Sequence, residues 1–197
     1  MKHSKSEITK ELLIRSALDV LCRTSYKGAK LQDVANEVGL SRGAIYWNFK
    51  NKIDLYDQVL THFFEIDSFK HLLNDRALPV VETITNVVHL LLIDEVETNH
   101  KSALMYNALV VEKPLEIQPI IDRVDNAFKK MFDSHKALLR HGMATGELRS
   151  NINVELETRS FYSFIWGYYT SKDRFFDGQN KEDVCSFVMD KFVLQLL

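Results

Sequence analysis

The chain of 197 residues is 46% hydrophobic and 26% charged, enough apolar mass for a sizeable core in one or two domains. Seven glycines and three prolines are too few to punctuate a strand-rich fold, so an all-α architecture is expected. The net charge of −2 hides an asymmetry: residues 1–52 carry ten Lys and Arg against five Asp and Glu, and residues 53–197 carry fifteen against twenty-two. Only the small basic head is therefore suited to a polyanion.

About nine helices are expected in chain order. The start, "MKHSKSEITKELLIRS", is too polar for a signal peptide. Leu13, Ala17, Val20 and Leu21 then form one apolar stripe, broken near Gly28. Leu31, Val34, Ala35 and Val38 line the face of a second helix, which Gly39 ends. Ser41 is placed to cap a third short helix through its hydroxyl. A long helix is expected from Lys52 to about residue 74, and another from Pro79 to about Glu97. The latter contains "VVHLLLIDEV", which is too short and too acidic to span a bilayer. Further helices are expected near 100–112 and 117–142, linked by Pro114 and Pro119, with Gly142 and Gly146 stopping the second. Helices near 153–174 and 181–196 close the chain. Cys22 and Cys185 match no metal or redox spacing and read as small core residues. A cytoplasmic protein is expected.

Residues 31–49 have the spacing of a helix-turn-helix. Ala35 must be small where two helices cross, Gly39 supplies a left-handed turn, and Ile45 plugs the second helix into a shared core. At 100° per residue, Ile45 and Phe49 face that core, while Arg42, Gly43, Tyr46, Trp47 and Lys50 fall on the opposite arc. A glycine inside a helix costs about 1 kcal/mol relative to alanine, a cost that makes sense if a partner's backbone must approach Gly43 closely. The hydroxyl of Tyr46, the indole N–H of Trp47, Ser41 and the cations together suit phosphate, and Arg42 suits a guanine edge. The alternative is that Tyr46 and Trp47 pack against the neighbouring long helix.

"VGLSRGAIYWNFKNK" followed by "DLYDQVL" resembles the DNA-binding head of the tetracycline-repressor (TetR) family, in wording closest to its AcrR-like branch of multidrug-efflux repressors. The resemblance covers roughly residues 8–60, with a weaker echo in "GELRSNINVELETRSF". It implies phosphate contacts from Ser41, Tyr46, Trp47 and Lys52, and base or backbone contacts from Arg42, Gly43 and Ala44. Lys30, Gln32, Asn48 and Lys50 complete the candidate DNA-binding set. Three departures stand out: Asn48 where the family usually has His, Ser25 for the usual Gly before Tyr26, and Ala29–Lys30 for the usual Thr/Ser pair. A helix cap and a phosphate-binding hydroxyl are then lost before Leu31, with the charge of Lys30 as a substitute.

The resemblance also implies a homodimer on a pseudo-palindromic double-stranded operator, built from the last two helices. "FYSFIWGYY" is too apolar for a solvated helix, and Trp166, Gly167, Tyr169, Phe187 and Phe192 are the candidate interface; an intramolecular core is the alternative. The division expected is a helix-turn-helix domain over 1–52 and a helical ligand-binding and dimerisation domain over 53–197. A small apolar or aromatic effector is implied for the latter. Phe64, Phe69, Met105, Tyr106, Phe128, Phe132, Phe161, Phe164 and Trp166 are the candidates to meet it, against ordinary core packing. No catalytic residue, metal or cofactor is expected: "ETNH" supplies a single Glu-x-x-His pair, Glu97 with His100, where a di-iron bundle needs two. No nucleophile elbow or phosphate-cradling loop occurs. The expected function is a repressor released by its ligand, controlling an efflux or detoxification gene. The alternatives are a ligand-independent DNA-binding relative, acting as activator or chromosome organiser, and an all-helical enzyme or metal protein.

Overall fold

The computed structural model describes residues 5–64, 67–94 and 96–197, and their side chains for 10–64, 71–94 and 96–197. Among these residues the chain forms α-helices and no strand. The helices are α1 Lys5–Leu21, α2 Leu31–Glu37, α3 Arg42–Asn48, α4 Lys52–Phe64, α5 Asp67–Asn74, α6 Val80–His89, α7 Val96–Glu112, α8 Gln118–Thr145, α9 Val154–Phe175 and α10 Lys181–Phe192. The single helix expected from Lys52 to about 74 is present as α4 and α5, with residues 65 and 66 outside the described set.

Two units are formed, one from residues 1–65 with 101–125, the other from 66–100 with 126–197. In the first, the apolar stripe of α1 is buried as its spacing requires: Leu13 and Ala17 are fully enclosed, as are Val34, Ala35, Ile45 and Phe49. Helix α1 packs on α2 and α4, and α2 on α3. Polar ties join α7 and the start of α8 to the same unit. Lys101 meets Asp19 at 2.6 Å, and Arg123 pairs with Asp57 and donates to Thr61 at 2.8 Å.

In the second unit, the helix expected to run from Pro79 to Glu97 stops at His89 and continues as a π-turn, Leu90–Asp94. Side-chain donors explain the change of winding. Tyr169 donates its hydroxyl to the Leu91 carbonyl at 2.7 Å, and Lys181 donates to the Ile93 carbonyl at 3.0 Å. Carbonyls drawn outward in this way give up tight helical bonding. Pro79 offers no side-chain cap to α6, and Glu147 supplies one by accepting from the Val80 N–H at 2.7 Å. Gly142 does not stop α8, which runs on to Thr145. Gly146, with φ +79°, ends it. Gly142 is instead a packing position, because a Cβ there would lie 2.7 Å from the side chain of Leu148.

His135 on α8 is buried among aromatic rings, with Tyr162 Oη 3.2 Å from Nδ1. Burial pushes its imidazole from 6.5 down to about 4. Between these values the unfolded chain binds a proton that the folded chain refuses. Its contribution is thus fully present above pH ~6.5 and is lost on acidification, by up to about 1.4 kcal/mol per pH unit. Urea midpoints measured from pH 7 to 4.5 should fall accordingly, and the fall should flatten in His135→Phe.

Candidate nucleic-acid interface

The turn between α2 and α3 is built as the spacing requires. Gly39 holds φ +66°, and nothing lies within 4 Å of where its Cβ would be. Backbone conformation, not crowding, demands glycine here. The turn is closed by Leu40 N–H donating to the Ala35 carbonyl at 2.9 Å. Ser41 caps α3, its Oγ accepting from the Ala44 N–H at 3.3 Å. Helix α2 lacks such a cap, since Lys30 at its start makes no capping hydrogen bond.

Ile45 and Phe49 are completely buried, and the other side of α3 is open. Arg42, Gly43 and Lys50 are exposed. Tyr46 is 49% exposed and Trp47 87%. The alternative that Trp47 packs inside the molecule is thus not realised. An indole so fully presented to solvent, beside cations, is the kind of surface that meets a partner. The Arg42 guanidinium lies 5.5 Å from the Tyr46 ring centroid, which pre-orients its planar fork. Ala44 is half-buried under this row.

Gly43 has no internal reason to be glycine. A Cβ there would meet only Ser41 Oγ, at 3.8 Å. Gly43→Ala should stabilise the head by up to about 1 kcal/mol while weakening DNA binding. Thermal unfolding and gel shift measured together check this pair of opposite signs.

Other candidates are engaged internally. Asn48 donates its amide to the Ala44 carbonyl at 2.9 Å, and Gln32 donates to Asn36 at 2.8 Å. Lys52 Nζ donates to the Tyr26 carbonyl at 2.8 Å and lies 4.3 Å from that ring's centroid. One of its three donors is therefore used, leaving two. Lys30 is exposed.

A clamp on the end of α3 was not singled out from sequence. Asn51 Oδ1 accepts from the Asp54 N–H at 2.9 Å, and Asp54 Oδ2 accepts from the Lys50 N–H at 2.7 Å. Gln58 joins Asp54 to the Asn48 carbonyl, at 3.0 and 3.4 Å. The Asn-x-x-Asp spacing, a near relative of the capping box, is the signal that marks it.

The effector candidates are drawn from both units. Phe64, Met105 and Tyr106 belong to the first unit; Phe64 and Tyr106 have ring centroids 5.3 Å apart, and Met105 is buried. Tyr106 donates to Asp125, and burial followed by that carboxylate pushes its phenol upward. Phe128, Phe132, Phe161, Phe164 and Trp166 belong to the second unit. There Phe128 meets Trp166 edge-on at 5.7 Å, Phe132 stacks on Tyr162 at 4.7 Å, and Phe164 lies 5.6 Å from Phe187. The side chain of Phe69 lies outside the described residues.

Of the interface candidates, Gly167 and Phe187 are exposed and Trp166 and Phe192 half-buried. Tyr169 is inside: it is 5% exposed and holds the Leu91 carbonyl. Among the described residues, no group of three His, Cys, Asp or Glu is placed to hold a metal ion, and no helix is long and apolar enough to cross a membrane.

Residues 13–59 match the family of bacterial regulatory proteins, tetR family. The chain is 25% identical over 169 residues to the HTH-type transcriptional regulator SrpR of Pseudomonas putida, covering 83% of this chain and 75% of that one. It is 30% identical over 90 residues to the HTH-type transcriptional regulator TtgW, also of Pseudomonas putida, covering 44% of this chain and 67% of the relative. Its fold matches that of the ketosteroid transcriptional regulator KstR2 of Mycobacterium tuberculosis, with a TM-score of 0.71, 16% identity, and 98% and 97% of the two chains covered.

Proposed function

This chain belongs to the tetR family of bacterial regulatory proteins, a family of DNA-binding transcription regulators, and we propose that it is a repressor released from its operator by a small apolar or aromatic ligand. The outward row of α3 carries this reading. Arg42, Tyr46, Trp47 and Lys50 stand exposed around a glycine that the protein's own packing does not require. Arg42 reads a base edge, Tyr46 and Trp47 donate to phosphate, and Gly43 lets the sugar–phosphate backbone come close. Residues 1–52 act as the DNA-binding domain and 53–197 as the ligand-binding and dimerisation domain.

A seven-residue recognition helix touches few base pairs, so specificity needs two heads on half-sites about 34–36 Å apart. The exposed Gly167 on α9 and Phe187 on α10 suit a helix–helix contact between two copies. Ligand release requires only that the effector bind the DNA-incompetent arrangement more tightly. An apolar effector is supported by the aromatic content of the second unit and by the likeness in fold to KstR2, a ketosteroid transcriptional regulator. The regulated gene is inferred to serve efflux or detoxification.

A salt-dependent gel shift tests the whole reading. Specific binding to the DNA beside its own gene, lost on adding an apolar compound, is expected. Specific binding that no compound relieves would leave a DNA-binding protein without an effector, and binding of equal strength to any duplex would remove the repressor.

A further inference from the structure

Two charged side chains meet the backbone of Tyr26 from either end. The Glu112 carboxylate accepts from the Tyr26 N–H through both oxygens, at 3.0 and 2.9 Å. The Lys52 ammonium donates to the Tyr26 carbonyl at 2.8 Å. Tyr26 itself is buried, its ring tilted against that of Tyr56 at 4.9 Å. Glu112 thus acts on the segment between α1 and α2 from 86 residues away in the chain.

Glu112 gains nothing from its own helix. It is the last residue of α7, whose final turn carries no basic residue, and an acid there faces the negative end of the helix dipole. Lys113 follows at φ 46°, a left-handed conformation that lysine adopts against its preference, and Pro114 prevents any continuation. The end of α7 is held in place against local preference, with its terminal carboxylate delivered to the Tyr26 amide.

We infer that Glu112 is a positioning residue for DNA binding: it holds Tyr26, and Tyr26 holds Lys52 where the two remaining donors of its ammonium can meet a phosphate. This rests on the reading of Lys52 and the α3 face as the DNA-binding surface. The opposite sign distinguishes it from simple electrostatics. An acid near DNA repels phosphate, so charge alone predicts that deleting Glu112 tightens binding, whereas positioning predicts that deletion weakens it.

The test uses the full chain with two duplexes, the DNA beside its own gene and a random sequence, titrated with salt. Glu112→Asp keeps the charge but falls a methylene short of the amide. Glu112→Gln drops the charge but keeps an acceptor of full length. Glu112→Asp and Glu112→Ala should weaken both duplexes about three- to tenfold. The slope of log affinity against log salt should become shallower by about one unit, as in Lys52→Met. Glu112→Gln should bind as the wild type or tighter. Adding Lys52→Met to Glu112→Ala should change nothing further, because both act on one contact.

Equal tightening by Ala and Gln, a wild-type slope in Glu112→Asp, or additive losses in the double variant would each overturn the inference while leaving DNA binding intact. If a variant unfolds, the Asp and Gln pair, one methylene apart from or equal in length to the original, still decides. A wild-type chain that binds neither duplex would instead remove the reading beneath it.

Discussion

Phe49→Ala should cost about 3–5 kcal/mol of stability and abolish DNA binding, although Phe49 touches no DNA in the proposed complex. Its ring is completely enclosed at the end of α3, and its N–H donates to the Ile45 carbonyl at 2.9 Å. Alanine would leave a cavity directly behind the recognition helix. The loss is a large part of the 5–15 kcal/mol that typically holds a domain together, so it should appear as a lowered thermal midpoint before any DNA is added. Phe49→Leu restores most of the volume and should cost under about 1.5 kcal/mol with binding largely kept. Full operator affinity in Phe49→Ala would mean that α3 is not held from behind in the way its burial pattern indicates.

Arg42→Ala should do the reverse, leaving stability within about 0.5 kcal/mol and relaxing sequence preference. Arg42 is exposed and rests near the Tyr46 ring, so its removal opens no cavity. If its fork reads a guanine, affinity for the operator falls by about 1–3 kcal/mol, roughly five- to 150-fold, while affinity for random duplex changes far less. Competition binding with both duplexes separates these quantities. An equal loss on both would make Arg42 a phosphate contact instead and transfer base reading to another side chain of the row.

The head was legible in the sequence because its logic is local. The burial of Leu13, Ala17, Val34 and Ala35 follows from helical spacing alone, the positive φ of Gly39 from the need to reverse direction within three residues, and the Ser41 cap from its hydroxyl's reach. Of the three departures from the family pattern, the lost cap before α2 was readable, whereas the turn of Asn48 back onto its own helix was not. Lys30 makes no cap, and Asn48 turns its amide back to the Ala44 carbonyl. Glycine was less reliable where packing competes with conformation: Gly142 looked like a stop and is a contact with Leu148.

The body was legible mainly as helices. Nothing in a local window separates Tyr169, buried and bonded to a π-turn carbonyl, from Phe187, which faces solvent one helix later. Both are aromatic residues in apolar helical stretches, and periodicity alone does not decide which neighbours cover them. The aromatic residues grouped as effector candidates by composition likewise belong to two units.

Residue order alone settled the helix-turn-helix and which arc of α3 faces outward, because contacts within about one turn are determined by helical geometry. The tertiary structure decided that Trp47 stays uncovered, that Tyr169 turns inside, and that Lys52 and Glu112 share the backbone of Tyr26. Those outcomes depend on where segments distant in the chain come to rest, and that is set by the packing of the whole core.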